Sequence, residues 1–331
     1  MKIDVSYQVA KSQAFAMKFS SFSWFVLLGC IVTGVWIVAR FYSWPGQQQR
    51  WQAPDLRSLG VTGTDSIIRY GRDLFVNTAN YLGPKGELAN MSNGMSCQNC
   101  HEAAGTKNFS NCLSAVASTY PKYRDRSGRI ESVSYRVNEC LERSLDGRKL
   151  DTSGHEMEAI VAYINWLGKD VPAGEKPAGA GTAELPYLNR AADPQKGKLL
   201  FKVNCVKCHG ENGAGLNLPD GTGYLYPPLW GPNSFNTSAG LFRISKLAAF
   251  IKDNMPFGAT HEQPQLTNEA AWDLAAYICS QSRPEKFFAY DWPEISKKPV
   301  DFPFAPYADS FTEAQHKYGP FGPIAAAKKP R

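Results

Sequence analysis

Helical patterns come in matched pairs along this chain. Residues 66–77 (SIIRYGRDLFVN) and 194–204 (PQKGKLLFKVN) are short and amphipathic, each with a Gly followed four residues later by an apolar or aromatic pair. Residues 156–167 (EMEAIVAYINWL) and 269–280 (EAAWDLAAYICS) place apolar side chains at spacings of three and four. Between the pairs, residues 170–187 (DVPAGEKPAGAGTAELPY) are rich in Pro, Gly and Ala and keep no apolar period, which predicts a loop. The pattern therefore predicts an all-α fold built from one small helical unit used twice.

One further apolar stretch has no period. Residues 21–39 (SFSWFVLLGCIVTGVWIVA) carry no charge over 19 positions, enough to span a bilayer as a helix. Lys2, Lys11 and Lys18 precede it, Trp24 and Trp36 lie near its two ends and Tyr42 and Trp44 just beyond, as expected of an inside-positive anchor with interfacial aromatics. No Ala-x-Ala site follows, so a single-pass anchor is preferred to a cleaved leader. The expected organisation is a cytoplasmic segment 1–20, a transmembrane helix 21–39, a first domain 53–169, the linker 170–187, a second domain 188–285 and a wrapping tail 286–331.

Composition adds little. Apolar residues at 43% and charged residues at 20% are ordinary for a globular chain, and a net charge of +6 is mild. Nothing resembles a nucleic-acid module, so no nucleic-acid partner is expected.

The cysteines change the picture. Cys97-Gln98-Asn99-Cys100-His101 and Cys205-Val206-Lys207-Cys208-His209 both read C-x-x-C-H, one in each half. This is the attachment signature of c-type haem: the thiols add to the vinyl groups and the His supplies the proximal nitrogen to iron. Two such strings predict two covalently bound haem c groups on Cys97 and Cys100 and on Cys205 and Cys208, with His101 and His209 as metal ligands. The expected fold is thus two class I cytochrome c-like domains in tandem. Haem attachment of this kind places the domains on the periplasmic side of a bacterial inner membrane.

A repeat can be used as a ruler. A cytochrome c of this class takes its sixth ligand from the loop before the last helix. In the second half that position is Met255, which lies 22 residues before Tyr277 of the last Ala-Tyr-Ile. In the first half the same step back from Tyr163 reaches Leu141, whose neighbour is Cys140, and no Met lies nearby. Cys140 is thus the candidate distal ligand of the first haem. The competing readings are a disulfide between Cys140 and Cys112 or an inert buried thiol. His155 is the best substitute ligand, and Cys112 and Cys279 are a further possible pair.

The surroundings of Cys140 are basic. If residues 136–144 are helical, Arg136 and Arg143 share its face. Guanidinium groups bind oxyanions through paired charge-assisted hydrogen bonds, and a thiolate is a strong nucleophile toward sulfur. The bland alternative is a charged helix face neutralised by Glu131, Glu139 and Glu142.

The segment from Tyr120-Pro121-Lys122-Tyr123-Arg124-x-Arg126-Ser127-Gly128 through Arg136-x-Asn138-x-Cys140-x-x-Arg143-Ser144-x-x-Gly147 resembles the di-haem thiosulfate dehydrogenases. So do Asn254-Met255-Pro256-Phe257-Gly258 and the helix around Trp272 and Tyr277. The SoxA-type cytochromes are a more distant likeness. The resemblance implies that two thiosulfate ions are joined to tetrathionate, in a reaction that some members run backwards. It implies that Cys140 is ligand and nucleophile, and that Arg136, Arg143, Ser144, Arg124 and Arg126 cradle sulfonate groups. Electrons would pass to the Met255-ligated haem and on to an acceptor cytochrome or a membrane oxidase. The alternative is a di-haem relay between a partner dehydrogenase and a terminal oxidase, without substrate chemistry. An enzyme needs the Arg136–Cys140–Arg143 cluster open; a relay tolerates it covered.

Overall fold

The computed structural model describes residues 50–328. The expected transmembrane helix 21–39 lies outside the described residues, and among those described no helix is long and apolar enough to cross a membrane.

The same three-helix arrangement occurs twice. In the first half, α1 (Gly63–Val76), α2 (Val133–Arg143) and α3 (His155–Leu167) surround the first C-x-x-C-H string. In the second, α4 (Pro194–Asn204), α5 (Ile244–Asn254) and α6 (Asn268–Ser280) surround the other. Each half also carries a small antiparallel hairpin. One pairs β1 (Lys122–Arg124) with β2 (Arg129–Glu131), Tyr123 facing Ile130. The other pairs β3 (Leu216–Asn217) with β4 (Tyr224–Tyr226).

Side-chain caps start several of these helices. Asp193 accepts from the backbone of Gln195 and Lys196 ahead of Pro194, a residue that suits the first helical turn. Ser132 caps α2 through the Tyr135 amide, and Thr267 caps α6 through that of Ala270.

The glycine repeated in the sequence sets the helix crossing. A Cβ built on Gly71 would lie 1.8 Å from the Ala159 carbonyl oxygen of α3, and one on Gly197 would lie 1.9 Å from the Asp273 oxygen of α6. Only glycine lets the first and last helix of each unit meet backbone to backbone. The following aromatics complete each crossing: Phe75 packs on Tyr163 at 5.8 Å between centroids, and Phe201 on Tyr277 at 5.5 Å. The buried Asp273 is satisfied by a fork from Arg190 and by the Asp193 amide.

The two halves share a tight seam. Asn236 of the second donates to the Glu142 carbonyl and to the Asp146 carboxylate, and its own amide donates to the Arg143 carbonyl. Asn254 donates to the Phe109 carbonyl at 3.2 Å, while the Phe109 ring stacks on His261 at 3.7 Å. Beyond α6 the chain runs over both units and ends in α7 (Glu313–Tyr318) and α8 (Phe321–Lys328). Its Asp301, fully buried, binds Arg243 and the Ser245 amide of the second unit, and its Asp291 binds Arg143 of the first.

Candidate functional site

Each C-x-x-C-H histidine is held by a backbone carbonyl. His101 Nδ1 donates to the Asn111 oxygen at 2.6 Å, and His209 Nδ1 donates to the Pro227 oxygen at 2.9 Å. Such a bond fixes the tautomer and leaves Nε2 free as a metal ligand.

Around the second string lies a cavity of about 490 Å³. Cys205, Cys208 and His209 line it together with Met255, and its walls include Leu229, Leu247, Ile251, Leu274 and Ile278. The donor set and the apolar walls suit a haem. Met255 follows directly on the C-terminus of α5, which ends at Asn254. Gln98, Asn99 and Cys100 of the first string line the same cavity, so the two attachment sites are neighbours.

At the first string, Cys140 on α2 lies within hydrogen-bonding reach of His101. The two side chains are neighbours and, with Cys97 and Cys100, would hold a haem at this string. Cys140 is half-buried and, among the described residues, a free thiol, which removes the Cys140–Cys112 disulfide as a reading. Cys112 instead lies 3.8 Å from the Thr106 carbonyl, and Cys279 lies 3.4 Å from that of Phe242. Each is a free, buried thiol in its own unit, so the Cys112–Cys279 pairing is likewise corrected. His155 is no substitute ligand, because it begins α3 and stacks on Tyr70.

Burial pushes Cys97 up to about 11, and Cys100 and Cys205 up to about 12. Cys140 goes the other way. Burial raises it too, but the Arg136 guanidinium, followed by the His101 contact, outweighs this and brings the thiol down to about 7.

The two arginines predicted to share the Cys140 face part company. Arg136 stays beside the thiol; Cys140 is the main reason its own pKa is raised, and its side chain keeps 31% of its exposure. It also bonds Glu139 at 2.9 Å. Arg143 is fully buried and turned away: it forks onto Asp291, approaches Glu139 at 3.2 Å and lies 4.0 Å above the Phe288 ring. A sulfonate would reach Arg143 only by displacing Asp291 or Glu139. Its two terminal nitrogens are engaged by carboxylates, while its buried Nε has no partner among the described residues. Glu139 ties the two arginines together, and both lower its pKa against the effect of burial.

The remaining candidates form an outer ring. Arg126 donates to the Ser238 carbonyl and lies 5.6 Å from the Trp292 ring. Burial, with Arg143 and Arg136 beside it, draws its pKa down to about 10. Arg124 on β1 lies within electrostatic reach of Tyr120 and Glu131. Ser144 caps α2 one turn beyond Cys140, to whose carbonyl its amide donates at 2.8 Å. Asp146, a negative charge in this neighbourhood, is engaged by Asn236 at 2.7 Å. Sequence reasoning gave no role to Tyr120, which is close enough to Arg136 and Cys140 for all three to influence one another, nor to Asp291. Tyr120 opens the very segment whose arginines drew notice, whereas nothing local marks Asp291.

A chain with two such units, each bringing a C-x-x-C-H histidine and a sulfur donor together, is a tandem cytochrome c. The profile described as "SoxA/TsdA, cytochrome c domain" matches residues 87–173, and that described as "Cytochrome c" matches 194–282. The chain is 36% identical to a thiosulfate dehydrogenase of Stutzerimonas stutzeri over 71% of its length and 73% of that protein. It is 39% identical to that of Allochromatium vinosum over 59% of its length and 72% of that protein. The solved thiosulfate dehydrogenase TsdBA of Marichromatium purpuratum superimposes with a TM-score of 0.67 at 30% identity, covering 79% of this chain and 54% of that one. The chain belongs to the thiosulfate dehydrogenase family of oxidoreductases.

Proposed function

We propose that this protein is a membrane-anchored, periplasmic di-haem cytochrome c that oxidises two thiosulfate ions to one tetrathionate. The observation that carries the reading is Cys140 placed beside both His101 and the Arg136 guanidinium, whose charge favours the thiolate. The residues fit the cofactor: Cys97, Cys100, His101 and Cys140 would hold one haem, and Cys205, Cys208, His209 and Met255 the other. When bound, the haems would supply one-electron acceptors for the electron pair, the second site being the exit toward an acceptor cytochrome or membrane oxidase.

The chain's own residues do the rest. Arg136 stabilises the Cys140 thiolate and offers its outer donors to a sulfonate. The Cys140 thiolate forms a sulfur–sulfur bond with the terminal sulfur of a first thiosulfate, giving Cys–S–S–SO₃⁻ and releasing two electrons. A second thiosulfate attacks the outer sulfur of the new disulfide bond, forms tetrathionate and returns the thiolate. Charge and atoms balance over the two steps. Arg126, with Arg136, makes the surroundings electropositive, which favours a dianion. Run backwards, the same steps reduce tetrathionate. The charge-free stretch 21–39 supports the anchor, and the attachment strings support the periplasmic location.

The experiment is stopped-flow spectroscopy of the purified holoprotein. Thiosulfate is expected to reduce the haems and tetrathionate to reoxidise them, with both reactions lost in Cys140→Ser. Neither reaction in the unmodified protein would establish the relay instead, a role that the covered Arg143 would tolerate.

A further inference from the structure

The outward face of α4 exposes aliphatic side chains among lysines. Lys198 and Lys202 lie along one side of it and Lys196 along the other, with Leu199 and Val203 between them, 66% and 83% exposed. Lys207 stands exposed just beyond the helix end. From Pro194 to Gly210 the chain has no acidic residue, and among the described residues none of these lysines forms an ion pair. Asp193, just before the helix, is committed to its cap. The buried side of the same helix is set by Gly197 and Phe201, so the lysine and aliphatic stripe is free of packing duties.

Its position gives the stripe a use. The helix ends at Asn204 and Cys205, which line the 490 Å³ cavity of the second attachment site. Leu225 and Phe257, 52% and 87% exposed, line that cavity as well. Exposed aliphatics flanked by unpaired lysines, beside a redox cavity, have the anatomy of a transient docking site: an apolar centre and a charged rim that steers and orients.

We infer that the α4 face is the docking surface for an acidic redox protein, the electron acceptor, seated with Leu199 and Val203 at its centre. Charge complementarity selects this occupant, because unpaired cations without a single acid among them attract a negative surface and repel a basic one. An anionic lipid surface would take the lysines but would make no use of the adjoining cavity. The inference rests on the second site being an electron-transfer haem; it does not require thiosulfate to be the donor.

The test starts from holoprotein reduced chemically with dithionite, so that failure of the thiosulfate reaction does not affect it. Reduced protein is mixed with oxidised plastocyanin, an acidic blue-copper protein, and separately with mitochondrial cytochrome c, a basic one. The plastocyanin rate is expected to fall as salt rises and to drop about tenfold or more in Lys198→Glu/Lys202→Glu. The basic probe should gain speed in that variant. Leu199→Ser/Val203→Ser, which keeps the charge, should also slow plastocyanin, with less change in salt dependence. Plastocyanin rates within twofold of the unmodified protein in both double variants would overturn the inference.

Discussion

Arg143 donates both terminal nitrogens to Asp291, at 2.7 and 2.8 Å, across 148 residues of chain. The pair is roofed by Phe288 and supported by Glu139, so the helix that carries Cys140 is pinned from the far side by the C-terminal segment. Glu139 links this pin to Arg136 and thereby to the thiol. The first unit is completed by chain that begins more than a hundred residues after its last helix.

Breaking that pair leaves a buried guanidinium short of a counter-charge. Asp291→Ala should cost about 3 kcal/mol, read as a lower urea midpoint of the holoprotein. Arg143→Ala should cost a similar amount, since it strands two carboxylates in place of one cation. A double variant should lose less than the sum of the two, and strict additivity would deny the coupling.

Arg136 is the cationic group left beside the thiol. Arg136→Ala should lower thiosulfate-driven haem reduction by roughly a hundredfold, as loss of a fixed donor at a developing charge does. Arg136→Lys should recover part of the rate, because it restores the charge but not the planar fork. Full activity in the alanine variant would remove Arg136 from the proposed mechanism.

The helix crossings leave no room for a methyl group. Gly71→Ala and Gly197→Ala would each press a Cβ into a backbone oxygen. Each should destabilise by about 1–3 kcal/mol, seen as a lower melting temperature and a reduced haem content after expression.

Met255→His replaces a thioether by a second imidazole. The potential of the second haem should fall in a spectroelectrochemical titration while the first is unchanged, because Met/His ligation raises the potential of a cytochrome c. A shift in the first haem alone would mean that Met255 serves the other iron.

Glu131 is buried, with one oxygen bonded to Ser127 at 2.6 Å, and burial raises its pKa. A carboxyl whose folded pKa lies above its unfolded value of about 4.5 favours the folded state in its neutral form, and that advantage is lost as pH rises through the folded pKa. Glu131→Gln should therefore be at least as stable as the parent at pH 7, and the stability difference should narrow on acidification. The check is a urea midpoint series from pH 4 to pH 8.

Much of the helical architecture was readable because its causes are local. The pattern of residues 194–204 coincides with α4, and that of 156–167 falls one residue short of α3. The paired glycines were visible as a repeat before their reason was: each admits a carbonyl of the last helix. Helical spacing correctly put Arg136 and Arg143 near Cys140 in sequence, but a shared face says nothing about which side chain meets a partner. Local sequence did not show that Cys112 and Cys279 are buried apart, against the Thr106 and Phe242 carbonyls.

By itself the sequence determined that this is a two-unit C-x-x-C-H protein with a sulfur donor at unequal places, because attachment spacing and helical period depend only on near neighbours. The tertiary structure decided which arginine remains beside Cys140. That outcome hangs on Asp291 and Phe288, brought in from the other end of the chain, and a buried cation goes to whichever carboxylate the fold places against it.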